Sequence, residues 1–366
     1  MKQLILFFLS SYCIIGINSQ ERATLLFFGD IMGHDAQIQS ASRNQGEYYD
    51  YSECFKWIEP YFRSVDLAIG NLELTFAGSP YTGYPSFGSP DELATALKEA
   101  GVDMLVTANN HSCDRRKKGV DRTIDILDEN YFLRTGTFKD QNDYVANRVK
   151  VIRLNNISVA LLNYTYGTND IPVTPPNIVN LIDRDQMADD IELAKSYSPD
   201  KVIIFIHWGD EYITTPNSAQ TDLANFLHEK GVDIIIGSHP HVVQPFYLKE
   251  IEEGKQQLTV YSLGNFVSNQ RKPYTDGGAM VRVELTKDNN EVKITSAEYL
   301  LTWVHTPIVN GRKQYLILPA SIYSLQGVPE TLPIGYSGMY DYLKLAREVL
   351  SKNSGVTEAV ELWPLR

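Results

Sequence analysis

The sequence predicts an α/β protein, and three observations carry that reading. Seven short apolar runs rich in Ile, Val, Leu and Phe recur along the chain, segments of helical period separate them, and most runs end abruptly in polar residues. The runs are 24–28, 65–69, 102–106, 157–162, 202–206, 232–236 and 258–263. None alternates cleanly, which suits strands buried on both faces of a sheet. Ser89-Pro90-Asp91-Glu92 offers an N-cap, a proline at the first helical position and a capping box, and Gly101 closes that helix. Ser218 to Lys230 reads likewise with Gly231 as its stop, and 183–197 and 339–352 complete the helical pattern. Strands alternating with helices give the α/β class.

The residues at the strand ends point to function. The first run leads into Gly29-Asp30-Ile31-Met32-Gly33-His34, the second into Gly70-Asn71-Leu72-Glu73, the third into Thr107-Ala108-Asn109-Asn110-His111. Later runs end in His207-Trp208-Gly209-Asp210-Glu211, Gly237-Ser238-His239-Pro240-His241 and Gly264-Asn265-Phe266. Strand carboxyl ends line the ligand crevice of open α/β sheets. Five of the seven histidines fall in these segments, a concentration that random placement would not give.

Composition limits the alternatives. At 366 residues and 43% hydrophobic, the chain can bury a full core, which excludes disorder and fibrous architectures. A net charge of -12 argues against a nucleic-acid partner. Met1-Lys2, the mostly apolar stretch 4–17 and the small Ser19 read as a secretory signal peptide over 1–19, and export to the periplasm or cell surface is the expected destination. An uncleaved N-terminal anchor is the rival reading, although the stretch is shorter than the roughly 20 apolar residues that span a bilayer. The expected organisation is a main domain over 20–312 and a helical extension over 313–366. Cys54 and Cys113 would remain after cleavage, and nothing in their spacing pairs them.

Two carboxylates (Asp30, Glu73), amide oxygens (Asn71, Asn110) and imidazoles (His207, His239, His241) form a mixed oxygen–nitrogen donor set. Such a set suits one or two divalent ions, with Mn, Fe or Zn favoured. In an extended chain the i, i+2 spacing of His239 and His241 puts both rings on one side. Each motif alone also has a structural reading as a turn, a helix cap or a buried imidazole; their joint placement on different strand ends favours a metal site. His228 and His305 read as structural. His111 beside Asn110 could donate a proton to a leaving group, or it could orient Asp30 or Asp114. Arg115-Arg116-Lys117-Lys118 could guide an anionic polymer, or form a solvated basic turn, and the aromatic loop 81–87 could wall a groove.

The ordered motifs Gly29-Asp30-Ile31-Met32, Asn71-Leu72-Glu73, Ala108-Asn109-Asn110-His111, His207-Trp208-Gly209 with Glu211, Gly237-Ser238-His239-Pro240-His241-Val242 with Gln244, and Ser262-Leu263-Gly264-Asn265-Phe266 resemble the bacterial capsule synthesis protein CapA family. That family, also described as poly-gamma-glutamate synthesis proteins, lies in the calcineurin-like metallophosphoesterase superfamily. The resemblance runs from about residue 24 to 270. It implies a four-layer α/β/β/α sandwich of the metallophosphoesterase type and an extracytoplasmic role in capsule or poly-gamma-glutamate metabolism. By motif it implies Asp30, Glu73, Asn110, His207, His239 and His241 as metal ligands and His111 as the catalytic histidine. Asn71, Glu211, Arg115 and Arg116 are the candidate substrate-binding residues. Two positions depart from the superfamily pattern: Met32 stands where Asp-x-His would place a histidine, with His34 as the nearest substitute, and Glu73 stands near a bridging Asp.

These readings converge on a metal-dependent hydrolase acting on an amide or phosphoester bond of an anionic polymer, such as poly-gamma-glutamate or capsule polysaccharide. The alternative is a non-catalytic polymer-binding or export component of a membrane capsule-assembly complex. A secreted phosphatase unrelated to capsule is a third reading, which the lost Asp-x-His weakens.

Overall fold

The computed structural model describes residues 21–252, 255–289, 291–361 and 363. The expected signal peptide over 1–19 lies outside the described residues. Two mixed sheets face each other. The first contains β1 (Glu21–Ile31), β2 (Leu67–Leu72), β3 (Met104–Val106) and β4 (Leu133–Thr135). The second contains β5 (Lys150–Leu154), β6 (Ile157–Thr165), β7 (Lys201–His207), β8 (Ile234–Ser238), β9 (Val243–Glu252) and β10 (Lys255–Leu263). The chain then returns to the first sheet with β11 (Asn265–Val267), β12 (Gly277–Asp288), β13 (Glu291–His305), β14 (Leu316–Leu318) and β15 (Thr357–Glu358). The order across the first sheet is β14-β13-β12-β1-β2-β3-β4, with β11 beside β1 and β15 beside β13; across the second it is β9-β10-β8-β7-β6-β5.

The period of two along a strand explains the unbroken apolar runs. In β1, Ala23, Leu25 and Phe27 point into the space between the sheets, where they meet Ile203, Phe205, Ile234 and Ile236. Leu26 and Phe28 point outward and pack with Leu93, Ala94 and Leu97 of α2 (Glu92–Ala100), which follows α1 (Asp35–Ala41) after two single-turn helices at Ser52–Phe55 and Glu59–Phe62. Further along, α3 (Arg116–Glu129) adds Ile126 and Leu127 to that outer layer. On the far side, α4 (Arg184–Ser196) and α5 (Ser218–Glu229) cover Leu162, Ile204 and Ile235. Helix, sheet, sheet, helix is therefore the layering, and the fold is of the metallophosphoesterase type. Among the described residues no helix is long and apolar enough to cross a membrane.

Two local expectations change. Ser89 does not cap α2: the helix begins at Glu92, Asp91 occupies the N-cap without a side-chain cap bond, and the Asp91 carboxylate pairs with Arg122 instead. An Arg partner offers a charged fork, which outcompetes one backbone N–H. Before α5 the cap is Asn217, whose side chain accepts from Gln220 N–H at 2.9 Å, rather than Ser218. The stretch after 312 contributes strand as well as helix. It supplies β14, then α6 (Ala320–Gln326) and α7 (Gly338–Leu350), and last β15, and α7 sends Met339, Tyr342, Leu343 and Ala346 into the core between the sheets.

Candidate metal centre

The candidate residues gather where both sheets end. Asp30 closes β1 at a point where Gly29 lets two backbones touch: a Cβ there would sit 1.9 Å from the Gly264 carbonyl oxygen. Only glycine permits that approach, and the Asp30 N–H then donates to the same carbonyl at 3.1 Å. Glu73 comes after β2 and Asn110 after β3, while His207 closes β7, and His239 and His241 come after β8. His239 and His241 are not in extended chain as the spacing suggested. Both have positive φ, 100° and 58°, so a left-handed bend around Pro240 brings the rings to 6.0 Å between centroids. Non-glycine residues held in that region mark a conformation that its surroundings must impose.

All six expected ligands are buried, with Asp30, Glu73 and His207 fully so. His207 Nε2 lies 2.9 Å from Asn110 Oδ1, and its ring is 4.7 Å from that of His239. His241 Nδ1 lies 3.2 Å from Asp30 Oδ2. Glu73 stands between these pairs, its Oε1 3.8 Å from both His207 Nε2 and His241 Nε2. Two groups could each converge on an ion, Asp30–Glu73–His207 and Glu73–His239–His241, and Glu73 is common to both. His34 belongs to neither; its Nδ1 is 3.0 Å from Gln37 Oε1.

Electrostatics point the same way. Both Glu73 oxygens, Asp30 Oδ2 and His239 Nδ1 are buried with no protein hydrogen-bond partner. Buried polar atoms are rarely left so, and these converge on one place. Burial first, then the charges of Asp30 and Glu211, push the Glu73 carboxyl well above the usual range. Burial, then neighbouring imidazoles, hold His207 well below its usual value, and burial takes His239 down to about 3. Neutral imidazoles beside carboxylates that lack a counter-charge are what a divalent cation requires, so the residues fit a metal.

Braces hold these groups from behind. Asn71, expected at the substrate, is fully buried: its amide donates to Asp30 Oδ1 at 2.8 Å and its carbonyl accepts from Asn109 at 3.2 Å. Ser238 Oγ sits 2.9 Å from His207 Nδ1, so Nε2 is the nitrogen turned toward Asn110 and Glu73. Asn265 Oδ1 sits 3.0 Å from His241 Nδ1. His111 Nδ1 lies 2.8 Å from Asp114 Oδ2, which also accepts the Phe87 N–H at 2.6 Å. The Phe87 ring meets His111 edge-on at 4.6 Å, and Tyr166, half exposed, covers His239 at 4.6 Å. Burial, with the Glu211 charge behind it, pushes the Tyr166 hydroxyl up to about 12. Ser238 and Asn265 lie inside motifs that the sequence singles out, and Phe87 closes the aromatic loop 81–87 read as a groove wall; Tyr166 gives no signal of its own.

The remaining candidates sit outside this cluster. Glu211 is exposed, close enough for its charge to act on Glu73. Arg115 fastens the neighbouring loop, donating to Thr82 Oγ1 at 2.8 Å and the Pro80 carbonyl at 3.2 Å. Arg116 is exposed in the first turn of α3.

Comparison with known proteins identifies the family and the fold. The family model described as bacterial capsule synthesis protein PGA_cap matches residues 24–270. Capsule biosynthesis protein CapA of Bacillus anthracis is 31% identical over 289 residues, covering 74% of this chain and 65% of its own length. PGA biosynthesis protein CapA of Bacillus subtilis (strain 168) is 28% identical over 273 residues, covering 72% of this chain and 67% of its own. The chain thus spans about two thirds of the length of these relatives. Among solved structures, a putative 5'-nucleotidase from Staphylococcus aureus shares the fold at 13% identity and a TM-score of 0.50, over 90% of this chain and 58% of that one.

Proposed function

Since the chain belongs to the bacterial capsule synthesis protein family PGA_cap, with a metallophosphoesterase-type fold, we propose that it is a metal-dependent hydrolase that processes an anionic capsule polymer of the poly-gamma-glutamate kind. The observation that carries this reading is Glu73, a fully buried carboxylate with both oxygens unpartnered, shared by two groups of candidate ligands. Asp30, Glu73, Asn110, His207, His239 and His241 would hold the ion or ions, and Mn, Fe or Zn suits the donors. A divalent ion so held supplies Lewis acidity that makes water a nucleophile near neutral pH.

The chain's own residues do the rest. Asn71, Ser238 and Asn265 fix the orientation of Asp30, His207 and His241 before any ligand arrives. Asp114 holds His111 through Nδ1, which leaves Nε2 to pass a proton to a departing amine or alcohol. Phe87 and Tyr166 screen the imidazoles from water. A second reading, a non-catalytic polymer-binding or export component, is favoured by Met32, a buried thioether at the position where the superfamily pattern has an imidazole.

Elemental analysis of the purified chain, beside a His239→Ala/His241→Ala variant, tests the proposal. Near-stoichiometric Mn, Fe or Zn that disappears in the variant is expected. A wild-type chain that stays metal-free after incubation with these ions sinks the hydrolase reading and leaves polymer binding in its place.

A further inference from the structure

In a chain with 45 Asp+Glu against 33 Lys+Arg, cations without a carboxylate partner need an explanation. Four such cations lie together beside the metal centre, on the loop after β11 and on the hairpin before β14: Arg271, Lys272, Arg312 and Lys313. None forms an ion pair with a carboxylate among the described residues. Arg271 donates to the carbonyls of Ser268 and Gln270, and Lys313 to Asn269 Oδ1 at 3.0 Å. Asp276, whose charge reaches Arg271, accepts from the Trp303 indole at 2.8 Å.

Aromatic faces hold three of these side chains instead. Lys272 Nζ lies 3.8 Å from the Tyr212 ring centroid, while Lys313 and Arg271 lie 5.0 and 5.8 Å from that of Tyr315. Stacking positions a cation while leaving its charge available to an anion. The loop after β11 is joined to the metal centre, and the hairpin is joined to that loop through Lys313 and Tyr315 at Asn269. Gln270 Oε1 accepts from Asn265 Nδ2 at 2.9 Å, and Asn265 Oδ1 contacts His241. Of the four, Arg312 borders a cavity of about 230 Å³, to which Tyr315, Val267 and Met32 also contribute, with Asp50 and Glu53 on its wall. Burial, and then the charge of Arg271, lower the Lys313 ammonium, so these two cations repel each other.

We propose that Arg271, Lys272, Arg312 and Lys313 form a cationic arm that binds successive carboxylates of a polyglutamate chain and leads it to the metal centre. This rests on the reading of the protein as a polymer-processing hydrolase. Several cations in a row match a repeating polyanion better than a single small anion, since each carboxylate relieves the repulsion between two neighbours. Arg115 and Arg116 stay candidates on the neighbouring loop, where the Arg115 guanidinium also donates to Thr82 and Arg116 is exposed.

The test is binding of poly-gamma-glutamate of defined length to the full metal-loaded chain, by calorimetric titration at low and at moderate salt. Arg271→Gln/Lys272→Gln/Lys313→Gln should weaken binding about tenfold or more, as three contacts of modest strength together predict. The loss should be greatest at low salt. Arg153→Gln/Lys344→Gln/Lys352→Gln removes the same charge from other exposed positions and should bind as wild type does. If the first variant fails to fold, Lys272→Gln/Arg312→Gln changes only exposed side chains and should still bind less tightly. Undiminished binding by the arm variants, or equal weakening by the control, overturns the arm and leaves the polymer reading standing. No binding of polyglutamate by the wild type overturns both, and preference for a uronate polysaccharide overturns the assignment of the arm to polyglutamate.

Discussion

Glu73 concentrates the problem that the candidate site poses. A carboxylate with no exposed surface and no donor facing either oxygen is costly when charged, and the neighbouring Asp30 makes that state costlier still. Its counterpart is His111, the group placed to move a proton rather than to bind an ion. His111→Gln should lower kcat on the polymer about a hundredfold or more, the usual range for a lost general acid, while metal content stays at the wild-type level. Loss of metal in that variant would make His111 a structural brace. Donor types were legible in the sequence because each lies at or shortly beyond the end of a strand. Phe87 was legible as part of the aromatic loop 81–87 but not as a neighbour of His111, because that role depends on a 4.6 Å contact with a histidine 24 positions away. Asn71 was legible as a polar strand end, but only the folded chain shows that both ends of its amide are spent on Asp30 and Asn109.

Among the elements, strand ends do the positioning, and the crossing of β1 with the turn before β11 is the tightest of them. Gly29→Ala would drive a methyl group into the Gly264 carbonyl, so the strands must part at Asp30. A stability loss of about 1–3 kcal/mol is expected from the overpacking, together with weaker metal retention, read by chemical denaturation and elemental analysis. Retention at wild-type strength would show that the Asp30 position tolerates the shift. The seven strands named from apolar runs all fall in the two sheets, with starts shifted by two residues at Leu67, Met104 and Ile234. The long β12–β13 hairpin went unrecognised for a physical reason. Along β13, Val292 and Ile294 face the core while Glu291 and Thr295 are exposed, so its first half alternates and offers no continuous run.

For the whole molecule, the segment after 312 completes the core. A chain ending at residue 312 would lose Ile317, Leu318, Met339, Tyr342, Leu343 and Leu350 from it. At roughly 1.5–3 kcal/mol for each large buried side chain, that loss matches or exceeds the 5–15 kcal/mol by which a domain is usually stable. The shortened chain should therefore show no cooperative unfolding transition in near-ultraviolet circular dichroism; a sharp transition would make the segment an accessory. The donors, too, are divided on this scale. Every expected oxygen donor belongs to the strand ends of the first sheet, and every nitrogen donor to those of the second. An ion bound among them would clasp the two sheets together, contributing about 2.7 kcal/mol at a free concentration one hundred times its dissociation constant. A chain whose halves had docked out of register would bring oxygens without imidazoles, or imidazoles without oxygens, and would let the ion go. Holding metal would thus certify correct assembly, so that a misassembled copy is an inactive one.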